Sequence, residues 1–284
     1  MNISLATLSN RFPQKRAFVT GAASGLGYEF CKHLALNGWS VAMLDYNLEQ
    51  VEQKCPEIQS LTQGVVKSYH VNVADGEQFK AAVDDYCMAV NGVDLLINNA
   101  GILAMGGFET YSIDDWQKYI GVNLIGVING CQFALPHMTK AHAGIILNIA
   151  SKAALLPGLL GAPYPATKAA VLSLSETLFV EYFYSPIQIS VALPGVFQSN
   201  LPTTVDQEKS RLKQDLKAKQ QEWYRRRPTA EKIATNILQK LASGQLYIIP
   251  DGPSLPVQIN AGVKMVMLRV MARIQKESVD SQTG

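Results

Sequence analysis

Tyr164 and Lys168 stand four residues apart in the segment YPATK. On a helix they share a face, one turn apart. A phenol with an ordinary pKa near 10 is a poor proton acceptor at neutral pH. An ammonium beside it stabilises the phenolate and is expected to lower that pKa toward the working range for proton transfer. Ser151 precedes Tyr164 by 13 residues, at the end of an apolar run. Its hydroxyl can polarise a substrate oxygen and hold it beside the phenol. Alone, Ser151 reads as a helix-start cap and Tyr164 as a core residue. Together with Lys168 they predict acid–base chemistry at a substrate oxygen.

A second constellation lies near the N-terminus. The first β-rich run leads directly into Thr20-Gly21-Ala22-Ala23-Ser24-Gly25-Leu26-Gly27, and a helical pattern follows. Glycines there permit a tight turn, let the backbone approach a pyrophosphate, and let the helix pack on the strand. The helix start offers free N–H groups and a partial positive charge to phosphates. The plain alternative is a structural turn. Asp45 closes the next β-rich run, 18 residues beyond Gly27. A carboxylate there accepts hydrogen bonds from adenosine ribose hydroxyls and repels a 2′-phosphate. Neither Tyr46 nor Ser24 is basic, so NAD is favoured over NADP. The competing reading of Asp45 is a cap for the following helix.

These residues need elements to position them. Short apolar runs at Arg16–Thr20, Ser40–Leu44, Val65–Val71, Asp94–Asn98, Ile145–Ala150, Gln188–Leu193 and Leu246–Ile249 read as strands buried on both faces. Helical patterns lie between them, such as Leu26–Asn37, Gly76–Val90, Ile113–Lys140 and Ala166–Tyr184. The alternation predicts an α/β fold, a Rossmann-like doubly wound parallel sheet of about seven strands with helices on both faces. With no Pro/Gly linker or internal repeat, residues 1–252 are expected to form one domain, followed by a tail at 253–284.

Composition narrows the classes. The 284 residues include 48% hydrophobic and 17% charged residues, which excludes a disordered chain. A balance of 25 basic and 23 acidic residues gives no overall field for nucleic acid. Cys31, Cys55, Cys87 and Cys131 are scattered, without a CxxC pair, as in a reduced, cytoplasmic protein. His137 and His142 miss the spacing of a helical metal pair, so no metal is expected. The N-terminus lacks a signal-peptide pattern, and no unbroken run of 18 apolar residues exists, so no transmembrane segment is expected.

The ordered motifs TGAASGLG (20–27), NNAG (98–101), VNLIG around Asn123, Ser151 after ILNIA, YPATK (164–168) and PGVFQS (194–199) resemble the short-chain dehydrogenase/reductase family in its single-domain form. The resemblance covers roughly Arg16 to Gly252. It implies a Rossmann-like fold and hydride transfer between a nicotinamide and a carbonyl or alcohol. It implies catalytic roles for Ser151, Tyr164 and Lys168, with Lys168 also on the nicotinamide ribose and Asn123 holding a water on a proton relay. The implied cofactor contacts are Gly21, Ser24, Gly25, Leu26, Gly27, Asp45, Asn72, Val73, Asn99, Ala100, Gly101, Tyr164, Lys168, Pro194, Gly195, Val196 and Ser199. Asn98 and Asn99 are implied to brace the central strand and the adenosine side. Asn72 stands where the family often has aspartate, and Lys152 where a small residue is usual. Homodimers or homotetramers through 113–140 and 166–184 are a further implication.

Apolar residues cluster around these motifs: Leu155, Leu156, Leu159 and Leu160, then Leu103, Met105 and Phe108, then Val196, Phe197 and Leu201. Their convergence on one cleft predicts a hydrophobic secondary alcohol or ketone as substrate. Gln198–Arg227 breaks the rhythm with a charge run and reads as a helical lid. Its basic side is either a solvated face or a contact for an anionic substrate group. Val257–Ile274 reads as an amphipathic helix that docks on the protein or a sister subunit, or touches a membrane surface.

Overall fold

The computed structural model describes residues 5–156, 160–205, 224–252, 262–274 and 276. Its strands are β1 (Arg16–Thr20), β2 (Ser40–Asp45), β3 (Val66–His70), β4 (Leu95–Asn98), β5 (Gly144–Ile149), β6 (Ile187–Ala192) and β7 (Tyr247–Ile248). All pair in parallel, in the order β3-β2-β1-β4-β5-β6-β7. This is the Rossmann-like doubly wound sheet that the alternating pattern predicts. The order reverses direction between β1 and β4, which opens a crevice at the carboxyl ends of those strands.

The helices are α1 (Ala6–Arg11), α2 (Gly25–Leu36), α3 (Leu48–Gln59), α4 (Gly76–Val90), α5 (Ile113–Ile120), α6 (Gly126–Ala141), α7 (Pro163–Glu181), α8 (Ala230–Leu241) and α9 (262–274). One core face gathers Phe30, Leu34, Trp39, Ile233 and Ile237 from α2, α8 and the chain between α2 and β2. The other gathers Phe79, Val83, Val127, Val171 and Leu172 from α4, α6 and α7. Each such buried side chain contributes roughly 1.5–3 kcal/mol, which fixes the sheet that carries the site. At its foot, the buried Arg16 guanidinium pairs with Asp94 at 2.6 Å and ties β1 to the entry of β4.

Two helical boundaries differ from expectation. The stretch expected as one helix over 113–140 is α5, a π turn over Gly121–Ile125, and α6. α7 begins at Pro163 rather than Ala166, because proline at a first helical turn loses no hydrogen bond and presets φ. By length and composition the stretch Ile113–Ala141 also passes as a membrane span. Here Val127, Cys131, Ala134 and Met138 pack it on the sheet, and Asn129 Nδ2 donates to the Val73 carbonyl at 2.8 Å. It is a core helix.

Candidate active site

α7 carries Tyr164 and Lys168 on one face. Pro163 sets its start, and Thr167 Oγ1 donates to the Pro163 carbonyl at 2.9 Å within the same turn. Lys168 is buried and its Nζ donates to the Ile149 carbonyl at 2.8 Å, at the end of β5. Nζ lies 5.9 Å from the centre of the Tyr164 ring. Burial pulls the lysine pKa down to about 8. Ser151 follows β5, buried, with its hydroxyl near enough to the Tyr164 phenol to oppose the rise of its pKa. Its Oγ also accepts from the Ala153 N–H at 3.1 Å. The residues predicted for acid–base work therefore meet at the carboxyl end of β5.

One expectation is reversed. Burial of the phenol raises the Tyr164 pKa above its ordinary value, and the nearby Ser151 hydroxyl only partly opposes this. The lysine proton is directed at the Ile149 carbonyl, and the ammonium is itself disfavoured by burial. Without a ligand, the phenol is held protonated.

Asn123 sits in the π turn, fully buried. Its Oδ1 accepts from the Ile102 N–H at 2.8 Å, and its Nδ2 donates to the Ile102 carbonyl at 3.0 Å and to Thr167 Oγ1 at 3.2 Å. The side-chain amide is thus committed to the loop after β4 and to α7. π turns recur at functional sites because they leave the regular i→i−4 ladder.

The glycine turn lies at the carboxyl end of β1. Gly21 has φ +64°, and a Cβ there would lie 2.9 Å from Ala100 Cα. A Cβ on Gly27 would collide with the Gly21 carbonyl. Ser24 is the N-cap of α2 without a side-chain cap bond, and Leu26 anchors the helix start in the core. Asn99 Nδ2 donates to the Thr20 carbonyl at 2.9 Å and the Gly21 carbonyl at 3.2 Å, so NNAG braces the turn. Thr20 Oγ1 accepts from the N–H groups of Asn99 at 2.9 Å and Ala100 at 3.0 Å. Asp45 bonds the turn itself: its Oδ2 accepts from the Ala23 N–H and its Oδ1 from the Asn47 N–H, both at 2.9 Å. Gly101 adjoins both Asn123 Oδ1 and Lys168 Nζ. Asn72 and Val73 follow β3. There Asn72 Oδ1 accepts from the Ala74 N–H at 3.1 Å, and the Val73 side chain is buried against Gly126.

Pro194, Gly195 and Val196 leave β6 beside Ser151, whose Oγ is 3.5 Å from the Pro194 carbonyl. Ser199 bonds Tyr224 through both its backbone and its hydroxyl. Gln198 pairs with Thr229, so the two ends of the Gln198–Arg227 segment meet. Residues 206–223 of that segment lie outside the described residues. Leu103 N–H donates to Thr204 Oγ1 at 2.8 Å, joining the chain after β6 to the loop after β4.

A profile of the short chain dehydrogenase family matches residues 15–210. The chain belongs to the short-chain dehydrogenase/reductase family. This short-chain dehydrogenase/reductase is 33% identical over 207 residues to the 2,5-dichloro-2,5-cyclohexadiene-1,4-diol dehydrogenase of Sphingobium indicum, covering 73% of this chain and 82% of that protein. It is 35% identical to the cyclohexanol dehydrogenase of an Acinetobacter species over 195 residues, 68% of this chain and 77% of that one. Its fold superimposes with a TM-score of 0.75 on a short chain dehydrogenase/reductase from Burkholderia phymatum in complex with NAD, at 26% identity over 94% of this chain and 95% of that one. It is an oxidoreductase of that family.

Two features of this short-chain dehydrogenase/reductase escape a sequence reading. The apolar cluster does not converge as expected. Leu155 and Phe197 pack into the core clusters, and Leu159 lies outside the described residues. Phe108 and Leu160 instead wall a pocket of about 400 Å³ with Ala153, Ala154, Ala162 and Ala166. Lys152, the departure from the family pattern, pairs with Asp251 beyond β7 at 2.8 Å. They stand 99 positions apart in the chain, so no local pattern signals that contact.

Proposed function

We propose that this chain is an NAD-dependent oxidoreductase that interconverts a hydrophobic secondary alcohol and its ketone, with Tyr164 as general acid/base. The observation that carries the reading is the gathering of Ser151, Tyr164 and the buried Lys168 at the carboxyl end of β5, with Lys168 Nζ 5.9 Å from the Tyr164 ring centre. The residues present fit a dinucleotide. The turn at Gly21 leaves no room for a side chain, the start of α2 has no side-chain cap, and a carboxylate ends β2. Gly21, Ser24, Gly25, Leu26 and Gly27 would hold the pyrophosphate, and Asp45 the adenosine ribose. Asn72, Val73, Asn99, Ala100 and Gly101 would line the adenosine side, and Pro194, Gly195, Val196 and Ser199 the nicotinamide amide.

When bound, the nicotinamide supplies or accepts the hydride. Ser151 donates a hydrogen bond to the substrate oxygen and holds it against the phenol. In the reducing direction the protonated Tyr164 would give its proton to that oxygen, and the Lys168 ammonium would counter the rise that burial imposes on its pKa. In the oxidising direction it must first lose that proton, and the Lys168 ammonium stabilises the phenolate. Lys168 would also hold the nicotinamide ribose, and Asn123 would hold a water on the proton relay to the lysine.

The pocket beside Ala153, Ala162 and Leu160 supports an apolar, ring-sized substrate, in line with the cyclic alcohols in the relatives' names. Exposed Ile120, Ile125 and Ile128 on the α5–α6 face support a homodimer or homotetramer. Free Cys31, Cys55, Cys87 and Cys131 fit the cytoplasm. The sheet, the glycine turn and the acid–base residues belong to one unit over 1–252, with 253–284 as its tail. A panel of cyclic and acyclic secondary alcohols and ketones, assayed with both nicotinamides, tests the reading. Turnover with an apolar alcohol and NAD is expected. Exclusive use of NADP overturns the cofactor assignment, and no turnover with either overturns the activity.

A further inference from the structure

α9 carries more apolar surface outward than inward. Val263, Val266, Met267, Val270, Met271 and Ile274 are each at least half exposed, from 50% at Val270 to 65% at Val266. Their spacings of three, one, three, one and three residues place all six on one continuous stripe. This stripe is not a face left to fold onto the protein's own body, because the opposite side of α9 is already docked. Ala272 is 1% exposed, and Met265 and Leu268 pack against the core cluster of α7 and its neighbours. Lys264 Nζ lies 2.9 Å from Glu176 Oε1 on α7, and Lys276 Nζ sits 4.7 Å over the Tyr184 ring. The helix is held in place with its apolar stripe facing solvent.

The borders of the stripe identify its occupant. Residues 262–276 contain four basic side chains, Lys264, Arg269, Arg273 and Lys276, and no acidic one. At 100° per residue, Arg269 and Arg273 run along one border and Lys264 along the other. Lys264 is already paired with Glu176, so the uncompensated charge lies on the Arg269–Arg273 border, which an antiparallel second copy of α9 would set against its own counterpart. Like charges across a symmetric contact oppose such pairing. An anionic bilayer satisfies both features at once: the apolar stripe enters the headgroup–acyl boundary while Arg269 and Arg273 meet lipid phosphates.

We propose that the outward face of α9 docks this protein peripherally on an anionic lipid surface. The inference is independent of the dehydrogenase reading, since vesicle binding needs no turnover. The test is co-sedimentation of the full chain with vesicles of phosphatidylcholine and phosphatidylglycerol in equal parts, and with phosphatidylcholine alone. Binding to the mixed vesicles is expected, weakened roughly tenfold or more on the neutral ones. The double variant Val266→Glu/Val270→Glu should lose binding. Arg269→Glu/Arg273→Glu should lose the preference for anionic vesicles. Both should keep the native thermal melt and solution mass, since these side chains face solvent. No binding of the native chain to mixed vesicles overturns the proposal. So does a Val266→Glu/Val270→Glu protein that still binds them, or one whose mass by light scattering falls to that of a smaller assembly, which would assign the stripe to a second copy of this chain.

Discussion

Lys152 Nζ lies 2.8 Å from Asp251 Oδ2, and that same carboxylate oxygen accepts the Gly195 N–H at 3.1 Å. The backbone N–H of Lys152 donates to the Pro194 carbonyl at 3.0 Å. One ion pair therefore joins the residue after Ser151, the Pro194–Gly195 turn and the chain leaving β7. Both side chains are mostly buried, at 21% and 13% exposure, and Asp251 Oδ1 is buried without a hydrogen-bond partner. Removing the ammonium leaves a carboxylate uncompensated, which costs far more than the intact pair contributes. Lys152→Met is expected to destabilise the protein by about 2–4 kcal/mol in chemical denaturation. It should also raise KM for the nicotinamide more than it lowers kcat, while Lys152→Arg restores most of both. A Lys152→Met protein with a native midpoint contradicts this.

Lys168 ties stability to pH. Its pKa is about 8 in the folded protein against 10.5 in the unfolded chain. Between those values the unfolded state binds the extra proton, so stability rises with pH across that window. Below pH 8 the buried charge weakens the fold in full. Relative to Lys168→Met, which lacks the titrating group, the native protein should gain about 3 kcal/mol as pH rises from 8 through 10.5. Urea midpoints of both proteins across that range measure it, and a constant difference refutes it.

At Gly21 the backbone has φ +64°, and a Cβ would lie 2.9 Å from Ala100 Cα, an atom that cannot rotate away. Gly21→Ala should cost about 1–3 kcal/mol of stability and abolish dinucleotide binding by displacing the NNAG loop. Tryptophan or nucleotide fluorescence titration reads the second effect. Native affinity in the variant would show that the turn does not form the cofactor cradle.

Asp45 sets the cofactor preference on the present account, while bonding the Ala23 and Asn47 N–H groups. Asp45→Ser keeps a short acceptor and removes the charge. Loss of a charge-assisted bond of about 1.5–3 kcal/mol should cut kcat/KM for NAD roughly 10- to 100-fold. The relative use of NADP should rise. An unchanged ratio between the two cofactors would place the discrimination elsewhere.

Much of this site is legible in the sequence because local geometry writes it there. The glycines of 20–27, the one-turn spacing of Tyr164 and Lys168, and the apolar strand that delivers Ser151 are each short-range patterns. β1 and α4 keep their expected bounds for the same reason. What stays hidden depends on distance or on competing preferences. α3 carries Pro56 and buries only Val51 and Ile58, so its periodicity is faint. The π turn at Asn123 interrupts a helix whose sequence pattern continues through it. The direction of the Tyr164 shift depends on how deeply the phenol is buried, and the Lys152–Asp251 pair spans 99 residues; both emerge only from packing.

The most direct test of the central claim is Tyr164→Phe, which removes one oxygen from a side chain whose ring also packs against the cluster of Ala104, Tyr111 and Tyr119. Steady-state turnover of an apolar secondary alcohol should fall roughly 10²–10⁴-fold, with nicotinamide affinity and thermal melting unchanged. Turnover that persists at the native rate in a protein without that hydroxyl would contradict proton transfer at residue 164, and with it the mechanism proposed for this site.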